Sequence, residues 1–296
     1  MKLVIETNLP NLYYRGKVRD TYDLGDKLLI VATDRISAFD FVLPNGIPDK
    51  GAVLNQLSAF WFERTAELVP NHFIAAVDDL SLLHPYFDPQ ILPSYLIGRS
   101  MIVKKAERID VECVVRGYIS GSAWAEYKES GTVSSIPMPK GLKESEKLAE
   151  PMFTPTTKAE SGHDQPLSME EMKELLGEDL AEELREKSMA IYRYAHDYAL
   201  SRGIIIADTK MEFGIADGEL VLIDELLTPD SSRFWDMGQY EVGHSQPSFD
   251  KQPVRDWLTS SGWNKEPPPP PLSPDVIEQT TKRYHEAYRR LTGKEL

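Results

Sequence analysis

Residues 206–233, IADTKMEFGIADGELVLIDELLTPDSSR, combine two apolar strand-like runs with charged side chains at alternating positions. The runs IIIA, which begins two residues before this segment at Ile204, and LVLI are too apolar for an edge that solvent reaches on both faces. They therefore predict a hairpin inside a sheet. Asp208, Lys210 and Glu212 follow one another at two-residue intervals and therefore point to one face of their strand. The segment predicts a buried hairpin with a cluster of charge on one face.

The turn of this hairpin decides which residue faces the charged strand. A two-residue loop, Asp217 and Gly218, would turn Asp224 to the opposite face of the sheet. A three-residue loop over residues 216–218 instead places Asp224 opposite Lys210, on the charged face. Gly218 suits the left-handed position that such a loop needs, so we predict the three-residue loop.

In that register three carboxylates, those of Asp208, Glu212 and Asp224, share a face with the single ammonium group of Lys210. Carboxylates a few ångströms apart raise one another's pKa and lose charge, and a hard divalent cation relieves this repulsion. Magnesium favours one or two carboxylates together with water and phosphate oxygens, so we predict Glu212 and Asp224 as its ligands. The alternative is a solvent-facing hairpin held by salt bridges, which the apolar flanking runs disfavour.

The chain has 296 residues, of which 41% are hydrophobic, enough for one large domain or two moderate ones. We expect a sheet-rich lobe over residues 1–112 and a larger lobe over residues 113–296. The formal charge of −14 argues against a general nucleic-acid binder, although anionic substrates can bind where cations are concentrated. The single cysteine, Cys113, lies in a strand-like run, excludes a disulfide within this sequence and is expected to be buried.

Membrane and export signals are not evident in this sequence. No run approaches the roughly 20 apolar residues needed to span a bilayer. The first residues lack the charged start and apolar stretch of a signal peptide. We therefore expect a soluble, cytoplasmic protein.

The remaining pattern is typical of a mixed α and β chain. The first half predicts a hairpin at 16–33, a long loop at 34–51, a helix at 54–68, two or three strands within 95–116 and a short helix ending at Gly131. The second half predicts a long loop at 136–166, a helix capped by Ser168 and Glu171, a longer helix ending near Gly203, a proline spacer at 267–271 and a final helix beginning at Ser273 and Pro274.

Three short segments place cations where an anion could bind. In GKVRD, Gly16 permits close backbone approach and Lys17 and Arg19 share a face, with a charged edge strand as the alternative. Arg116 and the serines of SGS lie at a strand-to-helix turn, a common anion-binding geometry. In TPDSSR, hydroxyl groups beside Arg233 suit a carboxylate or phosphate, with a capped turn as the alternative.

Taken together, six segments resemble the SAICAR synthetase (phosphoribosylaminoimidazole-succinocarboxamide synthase) family. They are GKVRDTY, VATDRISAFDFVLPNGIPDKG, VECVVRGYISGSAWAEY, FTPTTKAESGHD, IADTKMEFG and LIDELLTPDSSRFWD. They occur in the family's order across nearly the whole chain, which is far more specific than any one segment. The common nucleotide-binding motifs GxxxxGK[ST] and GxGxxG are both absent from the sequence.

The resemblance implies an α+β, two-lobed fold, with a sheet-rich nucleotide lobe and a larger α/β lobe distantly similar to protein kinases. It implies an ATP-dependent ligation in de novo purine biosynthesis, in which the carboxylate of carboxyaminoimidazole ribonucleotide (CAIR) is joined to the amine of L-aspartate. The products are SAICAR, ADP and phosphate. An acyl phosphate intermediate is expected, because a carboxylate is a poor electrophile until phosphorylation supplies a leaving group, and Mg²⁺ and cations offset the charge.

The resemblance also assigns roles to the positions that match the family's motifs. ATP would lie beside Gly16, Lys17, Arg19, Lys104, Glu107 and Val111. Glu212 and Asp224 would hold magnesium, while Asp208 and Lys210 would be catalytic, near the base and carboxylate of CAIR. The substrate-binding positions would be Asp34, Arg35, Ser37, Asp40, Arg116, Ser122, Lys158, Asp230, Ser232 and Arg233, with Arg116, Ser122 and Arg233 on the ribonucleotide phosphate and residues 158–164 contributing to closure.

The expected partners are small molecules, namely CAIR, L-aspartate and ATP, and neither nucleic acid nor a membrane. The proline run and terminal helix resemble the longer form of the family, so we expect a monomer. Two other functions fit some features: a small-molecule kinase, because inositol-polyphosphate kinases carry a similar DxK element, and a regulatory nucleotide-binding module. The ECVVRGY and TPDSSR segments argue against the kinase, and the intact set of Lys210, Glu212 and Asp224 argues against the module.

Overall fold

The structure, a computed structural model, describes residues 3–158 and 165–296. In this part of the chain the strands are β1 (Leu12–Arg15), β2 (Arg19–Asp23), β3 (Lys27–Ala32), β4 (Arg35–Ala38), β5 (Phe41–Gly46), β6 (Phe73–Ala76), β7 (Ser100–Lys104), β8 (Glu107–Tyr118), β9 (Thr132–Val133), β10 (Ile136–Pro137), β11 (Lys147–Phe153), β12 (Thr156–Thr157), β13 (Ile204–Ala216), β14 (Glu219–Ile223) and β15 (Ser232–Asp236). The helices are α1 (Lys50–Thr65), α2 (Gly121–Ser130), α3 (Met169–Leu176), α4 (Glu178–Ser201), α5 (Gln252–Ser260) and α6 (Pro274–Thr292), with short 3₁₀ helices at Leu80–Leu83, Pro89–Ile91, Ser94–Leu96 and Met237–Gln239.

The first sheet has five antiparallel strands in the order β1-β2-β3-β7-β6. Its β2–β3 hairpin confirms the one predicted at 16–33, with Gly25 in the left-handed region at φ 93°. One face of the sheet packs against the segment of short 3₁₀ helices, where Leu29 and Val31 meet Phe87 and Leu96. The sheet therefore has an apolar layer of its own on that side.

The second sheet is built around two long central strands, β8 and β13. Its order is β11-β8-β13-β14, with β12 also paired to β8 and β15 to β13. Strand β8 begins directly after β7 of the first sheet, and residue 112 lies inside it, so the sheets are joined by one nearly continuous stretch of strand. The mixture of helices and antiparallel sheets confirms the predicted α+β class, and the division into lobes at residue 112 stays a prediction.

A single apolar cluster joins the two sheets. It contains Met101 and Val103 of β7, Met211 and Phe213 of β13, and Trp61 of α1. Cys113 is buried in the same cluster, as expected. Because this burial is shared, the two sheets have a common rigid core on which charged groups can be positioned.

The helix boundaries follow local sequence signals. Ser168 and Glu171 form the predicted capping box at the start of α3, and Gly131 ends α2 with φ 76°. The side chain of Ser273 caps α6, whose first residue is Pro274. Helix α1 begins at Lys50, earlier than predicted, because Asp49 takes a left-handed conformation and starts the helix without an apolar signal.

The two predicted long loops contain strands. Residues 34–51 include the small hairpin β4–β5, and residues 136–166 include β10, β11 and β12. Strand β11 pairs with β8 with a register shift between Lys147 and Met152. The pairing is supplied by a strand distant in sequence, so the local pattern of prolines and polar residues did not reveal it. Residues 159–164, predicted to help close the site, lie outside the described residues.

None of the helices in residues 3–158 and 165–296 carries an apolar stretch long enough to cross a bilayer.

Gly117 of β8 provides a test of the packing between the second sheet and α4. A Cβ at this position would overlap the hydroxyl oxygen of Tyr192 and lie 2.8 Å from its Cζ. The Tyr192 hydroxyl also donates a 2.8 Å hydrogen bond to the carbonyl of Ile206. We expect Gly117→Ala to lower the free energy of unfolding by about 2–4 kcal/mol, because overpacking and the lost hydrogen bond add together. Urea unfolding measures this change.

Gly238→Ala is the matched control, because a Cβ there would be in ordinary contact, 3.4 Å from Oδ1 of Asp236. Its free energy of unfolding should change by less than about 1 kcal/mol. An unchanged urea midpoint for Gly117→Ala would show that α4 is not packed on β8 as described.

Candidate active site

Charged side chains alternate along the central strands of the second sheet. Asp208, Lys210 and Glu212 lie on one face of β13, as their spacing predicted. On the neighbouring strand β8, Arg116 lies opposite Asp208 and Glu112 lies opposite Glu212. Two adjacent strands therefore bring carboxylates and cations onto a single face.

Lys210, Glu112 and Glu212 form a closed network of ion pairs with a further residue, Lys158. Nζ of Lys210 lies 2.5 Å from Oε1 of Glu112 and 3.4 Å from Oε1 of Glu212. Lys158 donates a hydrogen bond to Glu212, and its Nζ lies 3.4 Å from Oε1 of Glu112. Each of the two ammonium groups therefore contacts both carboxylates.

The pKa values in this network show a balance between burial and charge. Burial raises the pKa of Glu112, and Lys210 and Lys158 offset this only in part. Burial would lower the pKa of Lys210, but the charges of Glu212 and Glu112 outweigh it and raise that pKa. Lys210 is thus held as a cation. Glu112 was missed by the sequence reasoning, although its spacing from Arg116 on a strand places both on one face.

The predicted register of the β13–β14 hairpin is wrong. Glu212 pairs with Ile223 and Ala216 pairs with Glu219, so the loop consists of two residues, Asp217 and Gly218. Both loop residues have positive φ, 53° and 81°, which is the requirement of a type I′ turn. The hairpin therefore does not place Asp224 opposite Lys210.

Asp224 nevertheless reaches the charged face by another route. Strand β14 ends at Ile223, and Asp224 takes a left-handed conformation with φ 71°. Burial would raise the pKa of Asp224, but the charges of Arg19, Lys158 and Lys210 outweigh it and lower that pKa. A backbone turn beyond the strand, and not the pairing register, brings this carboxylate beside the cations that also surround Glu212.

Arg19 connects the two sheets. Its guanidinium group, carried by β2 of the first sheet, lies 2.6 Å from Oδ2 of Asp224 and 3.2 Å from Oε1 of Glu225. Burial would lower the pKa of Arg19, but these carboxylates and that of Glu212 outweigh it. His72 lies behind Asp224, and burial lowers its pKa to about 4, so it is neutral at pH 7. Sequence reasoning expected Arg19 here and missed Glu225 and His72.

Two arginines converge on Asp208. Nη1 of Arg116 lies 3.2 Å from Oδ2 of Asp208, and Arg233 donates a hydrogen bond to the same oxygen. Arg116 also donates to Oγ1 of Thr154 at 3.0 Å and to Oγ of Ser122 at 3.4 Å. Two guanidinium groups share one carboxylate beside the first turn of α2, which leaves an excess of positive charge suited to an anion.

Gly121 determines how closely Arg233 approaches α2. It has φ 57°, and a Cβ there would overlap Nη2 of Arg233 and lie 2.6 Å from its Cζ. The guanidinium group therefore rests directly on the glycine backbone. The predicted set Arg116, Ser122 and Arg233 is brought together by the fold.

The segment 16–40 makes contacts mainly within the first sheet and its flanking hairpin. Lys17 is exposed, and its Nζ lies 2.9 Å from Oδ1 of Asp40. Arg35 donates to the carbonyls of Gly16 and Lys17, each at 3.0 Å, and holds the β1–β2 turn against β4. Ser37 is half-buried in β4. These predicted residues lie near one another, with Arg35 acting as a brace.

Asp34 and Asp230 were predicted to bind substrate, and the structure buries the side chains of both. Oδ1 of Asp34 accepts from Nη1 of Arg99 at 2.9 Å and from the backbone N–H of Gly51 at 3.0 Å. Asp230 is bound by Lys50 and other buried groups. Their contacts give both carboxylates a structural role.

Four further predicted positions have other surroundings. Lys104 and Glu107 are exposed at the junction of β7 and β8. The side chain of Val111 is buried in the core, so only its backbone is available to a nucleotide. The hydroxyl of Ser232 is 2.8 Å from that of Thr209 and is engaged within the sheet.

The carboxylates suit magnesium only in part. Among the residues that the structure describes, no group of three or more His, Cys, Asp and Glu side chains is placed to hold a metal ion. Glu212 and Asp224 each contact a cation of the chain, so a positive charge is favoured at both. Two carboxylates fit Mg²⁺ when phosphate oxygens and water supply its other ligands.

Comparison with known proteins agrees with this arrangement. The family model described as SAICAR synthetase matches residues 12–270. The phosphoribosylaminoimidazole-succinocarboxamide synthase of Thermodesulfovibrio yellowstonii is 54% identical over 98% of this chain and 99% of its own length. The corresponding protein of Geobacter metallireducens is 53% identical over 99% of this chain and 98% of its own length.

Solved structures give the same result. The SAICAR synthase from Saccharomyces cerevisiae complexed with SAICAR matches with a TM-score of 0.88 and 44% identity, over 100% of this chain and 99% of that chain. A SAICAR synthetase in complex with ADP matches with a TM-score of 0.70 and 26% identity, over 96% of this chain and 98% of that chain. With its sequence, fold and charged cleft all in agreement, the chain belongs to the SAICAR synthetase family.

Proposed function

We propose that the charged face of β8 and β13, with Arg19 and the arginine pair on Asp208, is the active site of this enzyme. The chain ligates CAIR with L-aspartate, a step of purine biosynthesis. The observation that carries the assignment of the site is the convergence of Arg116 and Arg233 beside the Lys210 network. An anion-binding pair and a set of catalytic charges then lie together on the second sheet.

The arginine pair is assigned to the phosphate of the ribonucleotide. Arg116 and Arg233 offer planar forks that match phosphate oxygens, and Ser122 adds a hydroxyl donor. The backbone of Gly121 leaves room for this approach. Asp208 holds both guanidinium groups in place, so the substrate meets a preorganised site with little side-chain entropy left to lose.

The ATP phosphates are assigned to Lys17 and Arg19 of the first sheet. The ADP complex of a 26% identical SAICAR synthetase supports a nucleotide in this fold. Lys17 is exposed and contacts Asp40, a partner that it can exchange for a phosphate. Arg19 already lies at the boundary between the sheets, where the transferring phosphoryl group would have to meet the CAIR carboxylate.

Glu212 and Asp224 are the proposed Mg²⁺ ligands. The ion would offset the negative charge of the phosphoryl group during transfer. Lys210 and Lys158 carry ammonium groups at the same carboxylates and stabilise charge on the reacting oxygens. Their orientation is fixed by Glu112, so little reorganisation is needed during the reaction.

The proposed chemistry has two steps. A carboxylate oxygen of CAIR attacks the γ-phosphorus of ATP, and ADP leaves, which gives an acyl phosphate. The neutral amine of L-aspartate then attacks the acyl carbon, phosphate leaves with the bonding electron pair, and the nitrogen loses a proton. The contacts to L-aspartate are expected among Asp34, Arg35, Ser37, Asp40 and residues 158–164. A monomeric state, a cytoplasmic location and the absence of a nucleic-acid partner stay predictions.

The first test is the dependence of turnover on each substrate. Purified protein with ATP, Mg²⁺, CAIR and L-aspartate should release ADP and phosphate in equal amounts, and omission of any one should stop sustained release. ATP consumption that ignores L-aspartate would instead identify a small-molecule kinase. Thermal stabilisation by ATP without any turnover would identify a regulatory module.

Replacing Asp224 tests the proposed metal site. Asp224→Asn keeps the shape of the side chain but removes its charge, so kcat should fall about 100-fold or more. Steady-state kinetics at saturating substrates measures this effect. Asp26→Asn is the control, because Asp26 is an exposed partner of Lys27, and it should leave kcat unchanged. An Asp224→Asn enzyme with normal kcat would remove Asp224 from the mechanism.

Gly121 tests the phosphate assignment. Gly121→Ala should displace Arg233 and raise the KM for CAIR about tenfold while leaving the KM for ATP unchanged. Gly131→Ala is matched to it, because Gly131 has a similar φ of 76° at the other end of α2 and no atom within 4 Å of an added Cβ. It shares the backbone strain but not the collision, so its KM for CAIR should stay normal. Equal effects of the two substitutions would contradict the assignment.

A further inference from the structure

Asp230 is a buried carboxylate that joins three distant parts of the chain. Its Oδ2 lies 2.8 Å from Nζ of Lys50 and 3.6 Å from Nζ of Lys251. Its Oδ1 accepts a 2.8 Å hydrogen bond from the hydroxyl of Tyr284. The side chains of Lys50 and Asp230 are 0% and 3% exposed, so the group cannot contact substrate directly.

The residues that follow Asp230 contact the charged strand in succession. The carbonyl of Ser231 accepts a 2.9 Å hydrogen bond from the backbone N–H of Lys210. Two residues further on, Arg233 donates to Asp208. A displacement of Asp230 would therefore be transmitted to Lys210 and Arg233 over very few bonds.

Within the turn itself, the hydroxyl groups of Thr228 and Ser231 form short-range hydrogen bonds. Oγ1 of Thr228 donates to Oε2 of Glu225 at 2.6 Å, and the backbone N–H of Thr228 donates to Oγ of Ser231 at 3.1 Å. These bonds give the turn its internal shape. Asp230 attaches the turn, through its side chain, to the start of α1 and to α6.

Helix α6 contacts both Asp230 and the start of α1, the two parts of the chain that the ion pair of Asp230 with Lys50 joins. Tyr284 contacts Asp230, and the next residue, His285, has its Nε2 3.3 Å from Oδ2 of Asp49, which precedes Lys50 at the start of α1. The helix lies beyond residues 12–270, the part of the chain that the family model matches. It belongs to the longer chain architecture shared with the yeast structure, which is covered over 99% of its length.

The buried charges make this contact sensitive to small changes. Burial would raise the pKa of Asp230, but the charges of Lys251 and Lys50 and the hydrogen bond from Tyr284 outweigh it and keep that pKa well below its usual range. The carboxylate is therefore ionised. Loss of one partner leaves a buried charge incompletely satisfied, and the turn would shift to regain a donor.

We propose that Tyr284 is a positioning residue for ribonucleotide binding: through Asp230, the C-terminal helix sets the position of Arg233 in the phosphate site. The inference rests on the proposed function, in which Arg233 binds the phosphate of CAIR. Tyr284 does not touch substrate. Its effect is exerted through the hydrogen bond to Asp230 and the short chain segment from Asp230 to Arg233.

Tyr284→Phe tests the proposal because it removes only the hydroxyl group. Steady-state kinetics with CAIR and ATP varied separately should show a KM for CAIR raised about five- to tenfold, with the KM for ATP changed by less than about twofold. Asp230→Asn should act in the same direction if it folds. Equal increases in both KM values would show a general loss of structure and overturn the proposal.

Tyr198→Phe is the matched control. The Tyr198 hydroxyl donates a 2.8 Å hydrogen bond to the carbonyl of Leu291, near the other end of the same helix. This variant should lower the thermal midpoint by about as much as Tyr284→Phe but leave the KM for CAIR unchanged. If the two variants change the KM for CAIR equally, helix α6 only stabilises the fold and the proposal is wrong.

Arg233→Gln separates this inference from the proposed function. A normal KM for CAIR in Arg233→Gln would remove Arg233 from the phosphate site, and both the assignment and the inference would fall. A raised KM in Arg233→Gln with a normal KM in Tyr284→Phe would overturn only the positioning role. We expect a raised KM for CAIR in both Arg233→Gln and Tyr284→Phe, and a normal KM for CAIR in Tyr198→Phe.

Discussion

The need to pair charges on a sheet face that is largely shielded from water governs the rest of this structure. Glu112 and Glu212 lie directly opposite each other on β8 and β13, an arrangement that would be repulsive without cations between them. Lys210 and Lys158 supply those cations. Lys158 follows β12, which pairs with β8, so the pairing also ties that segment to the central strands. The proposed chemistry and the stability of the second sheet therefore use the same contacts.

Arg19 extends the constraint to the first sheet. It is the cation that meets Asp224 and Glu225 from the opposite side of the cleft, and it is carried by a strand of the other sheet. In the function proposed above, a nucleotide that enters between the sheets would bring its own negative charge and a metal ion to this point. Its phosphates would then replace the carboxylates as partners of Arg19, and the metal ion would replace Arg19 as the partner of the carboxylates. Exchange of partners in a preorganised site needs little rearrangement of the backbone.

Much of the site follows from patterns that are local in sequence. The two-residue spacing of Asp208, Lys210 and Glu212 correctly predicted a shared face, because that period is a property of any strand. The hairpin loop was mispredicted because Gly218 satisfies either loop length, and the Asp-Gly pair in fact forms the two-residue turn. The position of Asp224 depends on a left-handed conformation that many loop aspartates can adopt and that no neighbouring residue marks.

Contacts between residues that are distant in the chain could not be predicted from local patterns. Asp34 and Asp230 were assigned to substrate binding by the family resemblance, which says nothing about their partners within the chain. Their actual partners, Arg99 and Lys50, are 65 and 180 residues away, and only the fold brings them together. A carboxylate next to a binding residue can thus serve it indirectly, by fixing the backbone from which the binding side chain extends. The charged face between the sheets depends on such buried pairs as much as on the groups that meet substrate, since an arginine binds phosphate tightly only where its position is already set.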